Sequence, residues 1–481
     1  MKKFLVFVSV IAIALTQVCA SGSKEQEKGE VNTGETVLRV VDWSDSSAEF
    51  RKVFNKKFEE KHPGVKVEYT CLTVDQFKNT IVTMLKSGDA PDLFPIPNNM
   101  TLPLAIQEEW YQPIGSYLTE DFKATLNPIV FANGITTLDN QIYSIPEQMP
   151  NINSVFFYNK DLLREAGVTK LPKTYSEFID ACQKVTDNGD GSSYGLIEGG
   201  IQLNRLDTMA RALSSLAGGK IAGSNREIIL NGKSNLNSNE MKNAMDFINV
   251  LTVKGLIYPD TVSINAPTAR ELFAQGQAAF LMQGMWCIPI WAASYPDLNY
   301  GSIAPPVPDN QTEVYGCPAE QINPWLGVYK NSKNPQLATE YLMALFSEEY
   351  GYQESQVSSG NSVSVVPVIN EKYMSNPQMI EFYKVASESA KVIPVATSRD
   401  SMVYDFNNVV TEVSPSLGAI VQGILAQSID DYDGQLDKLA ADSTTEWKRA
   451  SKEVGLDFSV FEFPNWDLTK NYTDADYQAL K

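Results

Sequence analysis

Histidine is nearly absent: the 481 residues include only one, His62. Most hydrolytic triads and most zinc sites need this residue type. His62 lies in the segment Lys61-His62-Pro63-Gly64, which predicts a solvated turn. The sequence also carries no P-loop, no dinucleotide-binding glycine pattern and no GxSxG motif. These absences argue against histidine-based catalysis and against the common nucleotide-binding sites.

Positive charge is also scarce, with 39 Lys and Arg against 58 Asp and Glu, a formal net charge of -19. Such an acidic surface repels phosphate backbones and anionic lipid headgroups, so nucleic acid is not an expected partner. Hydrophobic residues make up 43% of the chain and charged residues 20%, which is typical of a globular protein.

Long hydrophobic runs are missing, and the one notable run lies at the N-terminus. It spans residues 4–15, follows Lys2-Lys3, and is shorter than the ~20 residues that cross a bilayer. This pattern predicts an export signal. Two cleavage sites compete: lipidation at Cys19, or ordinary cleavage after Ala20. The polar stretch that follows favours a lipoprotein, with a signal peptide at 1–18 and a lipidated Cys19 with a flexible tether at 19–35. The protein would then be exported, periplasmic or at the cell surface, and its only membrane contact would be the lipid anchor.

Cysteine is rare, and no CxxC spacing occurs. Export permits disulfides, but four cysteines allow three complete pairings, and buried thiols fit the sequence equally well. The disulfide state therefore stays open for Cys71, Cys182, Cys287 and Cys317.

Strands and helices alternate along the chain. Residues 37–41 predict a strand, and Phe50, Val53, Phe54 and Phe58 then share one face of a helix. Further strands are predicted at 65–69 and 92–96, and Thr174 to Glu177 forms a capping box that opens another helix. This alternation predicts a mostly parallel sheet with helices on both faces.

Seven segments in a fixed order carry a family resemblance: FEEKHPGVKV (58–67), SGDAPDL (87–93), DNQIYSIP (139–146), FYNKDLL (157–163), LPKTY (171–175), FAQGQAAF (273–280) and GMW (284–286). Over roughly residues 36 to 350 the chain resembles the extracellular solute-binding proteins of bacterial ABC importers. The similarity is to the sugar-binding branch (family 1) that includes the maltodextrin-binding proteins.

The resemblance implies an α/β chain with the two-lobed, periplasmic-binding-protein-like fold of type II and a ligand cleft between the lobes. Crossings between lobes would fall near residues 145–150, 323–325 and 394–397. Lobe one would then comprise 36–148 plus 324–395, and lobe two 149–323 plus 396–481.

A sugar presents an apolar face and a rim of hydroxyls, so its site needs aromatic rings beside carboxylates, amides or guanidinium groups. Trp291 is predicted to belong to the core instead. The candidate ligand-binding residues are Trp43, Asp45, Asn98, Asn99, Glu147, Gln148, Trp286, Glu320, Asn323, Trp325, Arg399 and Tyr404.

The preferred function is high-affinity binding of a sugar or oligosaccharide by a monomer, with delivery to ABC permease subunits by lobe closure. A secreted carbohydrate-active enzyme working with two carboxylates is one alternative. A ligand sensor for a signalling receptor is the other. Neither catalytic residues nor a cofactor is expected. Residues 186–191 begin like a calcium loop, but Thr186 stands at its first position instead of Asp and Ile197 at its twelfth instead of Glu. They predict a solvated loop, so no metal is expected either.

Overall fold

The computed structural model describes residues 35–44, 47–72, 74–97, 100–150, 154–221, 229–319 and 322–480. Five candidate residues lie outside these ranges: Cys19, Asp45, Asn98, Asn99 and Glu320.

The strands within the described ranges are short, and most belong to two four-stranded sheets. Their bounds are β1 Thr36–Asp42, β2 Val65–Cys71, β3 Leu93–Pro95, β4 Thr137–Leu138, β5 Gln141–Ile142, β6 Val155–Asn159, β7 Tyr194–Ile197, β8 Ile229–Leu230, β9 Lys233–Ser234, β10 Ala278–Gln283, β11 Tyr300–Ile303, β12 Cys317–Ala319, β13 Leu326–Val328 and β14 Ala390–Val392.

Helices supply the rest of the regular structure. Their bounds are α1 Ala48–Lys61, α2 Val74–Ser87, α3 Leu102–Gln107, α4 Glu120–Thr125, α5 Lys160–Glu165, α6 Tyr175–Gly189, α7 Leu203–Leu216, α8 Asn239–Val253, α9 Ala266–Ala274, α10 Cys287–Ser294, α11 Pro335–Leu345, α12 Tyr352–Ser358, α13 Pro367–Tyr373, α14 Pro377–Ser389, α15 Val403–Val409, α16 Leu417–Leu425, α17 Tyr432–Val454 and α18 Asp474–Gln478. Short 3₁₀ turns occupy Pro128–Val130, Thr261–Ser263, Ala396–Ser398 and Phe458–Phe461.

The first sheet has the strand order β13-β3-β1-β2. Strand β1 runs parallel to β2 and to β3, and β13 joins antiparallel at the edge. Phe54 and Phe58 of α1 and Tyr341 of α11 bury their rings in the core that surrounds this sheet. We call the sheet and the helices packed on it the first unit, and those of the second sheet the second unit. The predicted parallel arrangement is confirmed here, where helices α1 and α2 connect successive strands.

The second sheet, ordered β11-β6-β10-β7, differs from the prediction. Strand β10 is parallel to β7 but antiparallel to β6, and β11 is antiparallel to β6 as well. The chain enters β6 directly from the first unit, because Ile145 belongs to the core of the first sheet and Val155 to the core of the second. A strand that is reached without a crossover helix can pair antiparallel with its neighbours.

The buried face of α1 differs from the predicted one. Val53 is 60% exposed, whereas Arg51 and Asn55 are buried beside Phe54 and Phe58. The polar members are tolerated because they have partners: Arg51 has two carboxylates, and Asn55 accepts a 2.6 Å hydrogen bond from Tyr341 Oη.

The C-terminal helices pack mainly on the second unit. Side chains of α16 and α17 share the core cluster of α7 and α8. Helix α14, inside the range assigned to lobe one, also contributes Met379, Phe382 and Ala386 to a cluster with β6 and β10. The lobe bounds stay a prediction, and this packing favours ending the second stretch of lobe one before residue 377.

Two local predictions can be checked directly. The capping box is present, because Thr174 accepts from the backbone of Glu177 and the Glu177 side chain accepts from Thr174. Helix α6 continues to Gly189, so the expected loop at 186–191 is mostly helical.

The four cysteines at 71, 182, 287 and 317 are thiols in this structure. In the described parts of the chain, no helix is long and apolar enough to cross a membrane.

Candidate functional site

A cavity of about 1010 Å³ opens between the two units. This volume is at the upper end of the ~300–1,000 Å³ typical of small-molecule sites. The first unit lines it with Trp43, with residues 96–97, 100–102 and 104, and with residues 322–325, and the second lines it with α7, α15 and α17.

The strand directions explain why residues distant in sequence meet at this cavity. Trp43 follows β1, and Ile96 and Pro97 follow β3, its parallel neighbour. The carboxyl ends of parallel strands meet at one edge of a sheet, which is where open α/β folds bind their ligands.

Aromatic side chains line the cavity from both units. The rings of Trp43 and Trp325 meet edge to face with their centroids 5.1 Å apart, and Trp43 makes the same kind of contact with Phe77 at 4.7 Å. From α17, Trp447 packs on Phe461 with centroids 4.8 Å apart. All three tryptophans are only half-buried, so each has ring surface left for a ligand.

Polar groups complete the lining. Asp207 and Arg211 lie one turn apart on α7, and Arg211 Nε donates a 2.7 Å hydrogen bond to Asp207 Oδ2. Asn323, Asn407, Asn408 and Glu412 also line the cavity and are exposed to solvent. This wall therefore offers hydrogen-bond donors and acceptors beside apolar rings.

Several comparisons with known proteins bear on this arrangement. The sequence profile of the bacterial extracellular solute-binding proteins matches residues 42–352. The chain belongs to this family. The match covers the second sheet, strands β2, β3 and β13 of the first sheet and the strand-end residue Trp43. Membership of an extracellular family indicates an exported protein.

Relatives of this solute-binding protein are distant in sequence. The diacetylchitobiose binding protein DasA of Streptomyces coelicolor is 24% identical over 390 residues, covering 76% of this chain and 82% of DasA. The structure of Lmo0181 from Listeria monocytogenes in complex with cycloalternan aligns over 88% of this chain and 100% of that one, with 18% identity and a TM-score of 0.61. The GacH receptor of Streptomyces glaucescens aligns over 87% and 99%, with 17% identity and a TM-score of 0.63. These structures share the two-lobed fold.

The solute-binding protein brings four of the predicted site residues to the cavity: Trp43, Asn323, Trp325 and Tyr404. Tyr404 is buried, and its hydroxyl donates a 3.0 Å hydrogen bond to the carbonyl oxygen of Gly134, so it links α15 to the first unit. Trp325 is held through its backbone N–H, which donates to Ser144 Oγ at 2.9 Å.

Four other predicted site residues lie away from the cavity lining: Glu147, Gln148, Trp286 and Arg399. Trp286 begins α10 and packs beside Gly284, where a Cβ atom would be 2.2 Å from the indole ring. Arg399 donates to the carbonyl oxygens of Ser459 and Glu462 at 2.6 and 2.7 Å, which fixes the C-terminal segment. Gln148 is half-buried beside Glu147.

Trp291 was predicted to belong to the core, and its side chain is only 1% exposed.

Glu147 belongs to a buried ion cluster behind the cavity. Arg51 Nη2 lies 3.1 Å from Glu147 Oε1, and Arg51 Nε lies 3.7 Å from Asp42 Oδ2. Tyr352 donates a further hydrogen bond to Glu147, and Tyr69 donates one to Asp42 at 2.9 Å. Burial raises the pKa of both carboxyl groups, and the charge of Arg51 opposes this rise. The cluster fixes the start of the connecting segment and the residue preceding Trp43.

The lining residues that were missed from the sequence include Asp207, Arg211 and Trp447. Asp207 and Arg211 carried a usable signal, because a charged pair four residues apart interrupts the otherwise apolar face of α7 at Leu206 and Ala210. Trp447 carried none, since one aromatic residue on a 23-residue amphipathic helix does not reveal which cavity it reaches.

The described residues include no group of three or more His, Cys, Asp or Glu side chains that could hold a metal ion.

Proposed function

We propose that this protein binds a sugar or oligosaccharide in the cavity between its lobes and, as a monomer, delivers it to the permease subunits of an ABC importer. The observation that carries the proposal is the pairing of half-buried tryptophans with amide, carboxylate and guanidinium groups around one large cavity. Aromatic rings cover the apolar face of a sugar, and the polar groups satisfy its hydroxyls.

The relatives support a saccharide as the ligand. DasA is named for diacetylchitobiose, Lmo0181 was solved with cycloalternan, and GacH was solved with acarbose. All three ligands are built from linked sugar or sugar-like units, and the size of the cavity suits a ligand of more than one unit.

Lobe closure would couple binding to delivery. The ligand would favour the closed state because Trp43 and Trp325 of the first unit and Trp447 of the second would contact it together only there. Contacts between the units already exist at one edge, where Ser398 Oγ donates to the Asn133 carbonyl oxygen at 3.2 Å and Tyr404 donates to that of Gly134.

A thermal-shift screen against neutral mono-, di- and trisaccharides tests the ligand class, because a ligand that binds only the folded state raises the melting temperature. At 100 times its dissociation constant, the cognate sugar would stabilise the protein by about 2.7 kcal/mol. Small-angle scattering with that sugar should then show compaction. An unchanged radius of gyration at saturation would contradict closure, and release of shortened sugars would support the enzyme alternative.

The lipid anchor at Cys19 is a separate part of the proposal, and this residue lies outside the described ranges. The 17 residues from 20 to 36 would reach about 20–25 Å as a random coil, which leaves the lobes free to turn toward a permease. Cys19→Ser should release protein or leave precursor without changing sugar affinity. Mass spectrometry that finds an unmodified N-terminus at Ser21 in the native protein would rule the anchor out.

A further inference from the structure

The cavity lining carries few charged side chains. Among the described residues that line it, the charged side chains are Asp207, Arg211 and Glu412. Their formal charges sum to minus one. The single cation among them, Arg211, is therefore outnumbered by carboxylates at the surface that a ligand would touch.

Arg211 is also engaged by a carboxylate of its own helix. Its Nε donates to Asp207 Oδ2 at 2.7 Å, and the two side chains are only 5% and 12% exposed. Helical spacing of four residues keeps both groups on the same face of α7, so the pair forms without any ligand. In such a poorly solvated place, a charge-assisted hydrogen bond is stronger than on the surface.

We infer that the cavity selects uncharged oligosaccharides and rejects those that carry uronate groups, because Asp207 occupies the charge of Arg211. This inference rests on the proposed function. A sugar carboxylate near Arg211 would have to displace Asp207 or lie beside it, whereas sugar hydroxyls can donate to Asp207 without breaking the pair. Specificity of this kind comes from a built-in repulsion as much as from attraction.

The test compares matched sugars that differ only in charge. The probes are maltotriose, cellotriose and α-1,4-galactotriose, each also with its C6 hydroxymethyl groups oxidised to carboxylates. Titration calorimetry at pH 7.5 and low salt should show that every neutral sugar that binds does so about 10- to 100-fold more tightly than its oxidised form. An oxidised form that binds as tightly as its neutral partner, or more tightly, would overturn the inference while leaving sugar binding intact. If neither these six sugars nor any neutral sugar of the thermal-shift screen binds, both the proposed function and the inference fail.

Substitutions then assign the selectivity to the pair. Asp207→Asn exposes the charge of Arg211 and should reduce the preference for the neutral sugar by about tenfold or more. The double variant Asp207→Asn with Arg211→Gln removes both charges, and it should bind oxidised sugars more weakly than Asp207→Asn alone. Since the single variant removes a buried carboxylate from a buried cation, the double variant also serves if the single one does not fold.

Asp180→Asn is the matched control, because it makes the same change in an exposed pair with the same spacing, Asp180 and Lys184. It should leave the ratio of the two affinities unchanged. An equal ratio in the wild type and the double variant would overturn the assignment to this pair.

Discussion

Two buried groups in the described part of the chain pair carboxylates with a guanidinium in different places. In the first unit, Arg51 holds Asp42 and Glu147, and its own side chain is fully buried. In the second unit, Arg211 holds Asp207 at the wall of the cavity. The comparison shows that a buried ion pair has no fixed role: what it does depends on how many elements it joins and on whether a ligand can reach it.

The group around Arg51 joins four parts of the first unit. It contacts Asp42 at the end of β1, Glu147 in the segment that leads to β6, and the ring of Tyr352 on α12, 4.6 Å from the guanidinium carbon. Arg51 itself belongs to α1. The Asp207–Arg211 pair joins only neighbouring turns of one helix. Loss of the first group should therefore unfold the protein more readily, and loss of the second should change ligand selection.

The largest expected effect is that of Arg51→Met. This change leaves two buried carboxylates without their cation, and breaking a buried pair in this way lowers the free energy of unfolding by about 3–5 kcal/mol. Urea unfolding followed by tryptophan fluorescence measures the loss.

The matched control is Arg164→Met, which removes an exposed guanidinium paired with Asp161. It should change the unfolding free energy by less than about 0.5 kcal/mol. If both variants lose the same small amount, the group around Arg51 does not hold the first unit together.

Another buried carboxylate, Glu198, sharpens the comparison through pH. It accepts a 2.7 Å hydrogen bond from the backbone of Met282, and burial raises its pKa from 4.5 to about 7, against the opposing charge of Arg205. The folded state keeps this proton up to about pH 7, while the unfolded chain loses it near pH 4.5. Glu198 therefore stabilises the fold at low pH, and its contribution falls by about 3 kcal/mol as the pH rises from 4.5 to 7.

Glu198→Gln isolates this effect, since the amide keeps the shape but does not titrate. Urea unfolding at pH 5, 6, 7 and 8 should show that the variant gains stability relative to the wild type as the pH rises. Parallel curves for the two proteins would mean that Glu198 titrates normally.

How far the sequence predicted the site depended on the range of the interactions involved. Trp43 was predictable because a strand end is a local feature, and the sheet fixes where it points. Glu147 was predicted as a ligand residue but lies in the buried cluster, because its partner Arg51 is 96 positions away along the chain. Trp447 reaches the cavity only through the packing of α17 on the second unit, which no local pattern encodes.

A smaller effect is expected from removing an aromatic residue of the wall. Trp447→Ala takes away ring surface that would cover the ligand, and we expect about 3- to 10-fold weaker sugar binding, since aromatic contacts contribute about 0.5–1.5 kcal/mol beyond their buried area. Titration calorimetry measures the dissociation constant of the sugar for each variant. Trp286→Ala is the control, because Trp286 lies outside the cavity lining and its loss should leave affinity within twofold. If Trp286→Ala weakened sugar binding more than Trp447→Ala, the sugar would bind beside α10 instead.

The smallest effect tests whether burial or separation gives the Asp207–Arg211 pair its strength. Asp180 and Lys184 have the same spacing on α6 and the same 2.7 Å separation, but their side chains are 63% and 48% exposed. Water and salt screen such a pair, so Asp180→Asn should lower the unfolding free energy by less than about 0.5 kcal/mol, and by nothing measurable in 1 M salt. Urea unfolding at both salt concentrations checks this. A loss above about 1 kcal/mol would mean that the separation of the charges, and not their burial, sets the strength of these pairs. The buried pairs of Arg51 and Arg211 would then not differ from the exposed pair of Lys184.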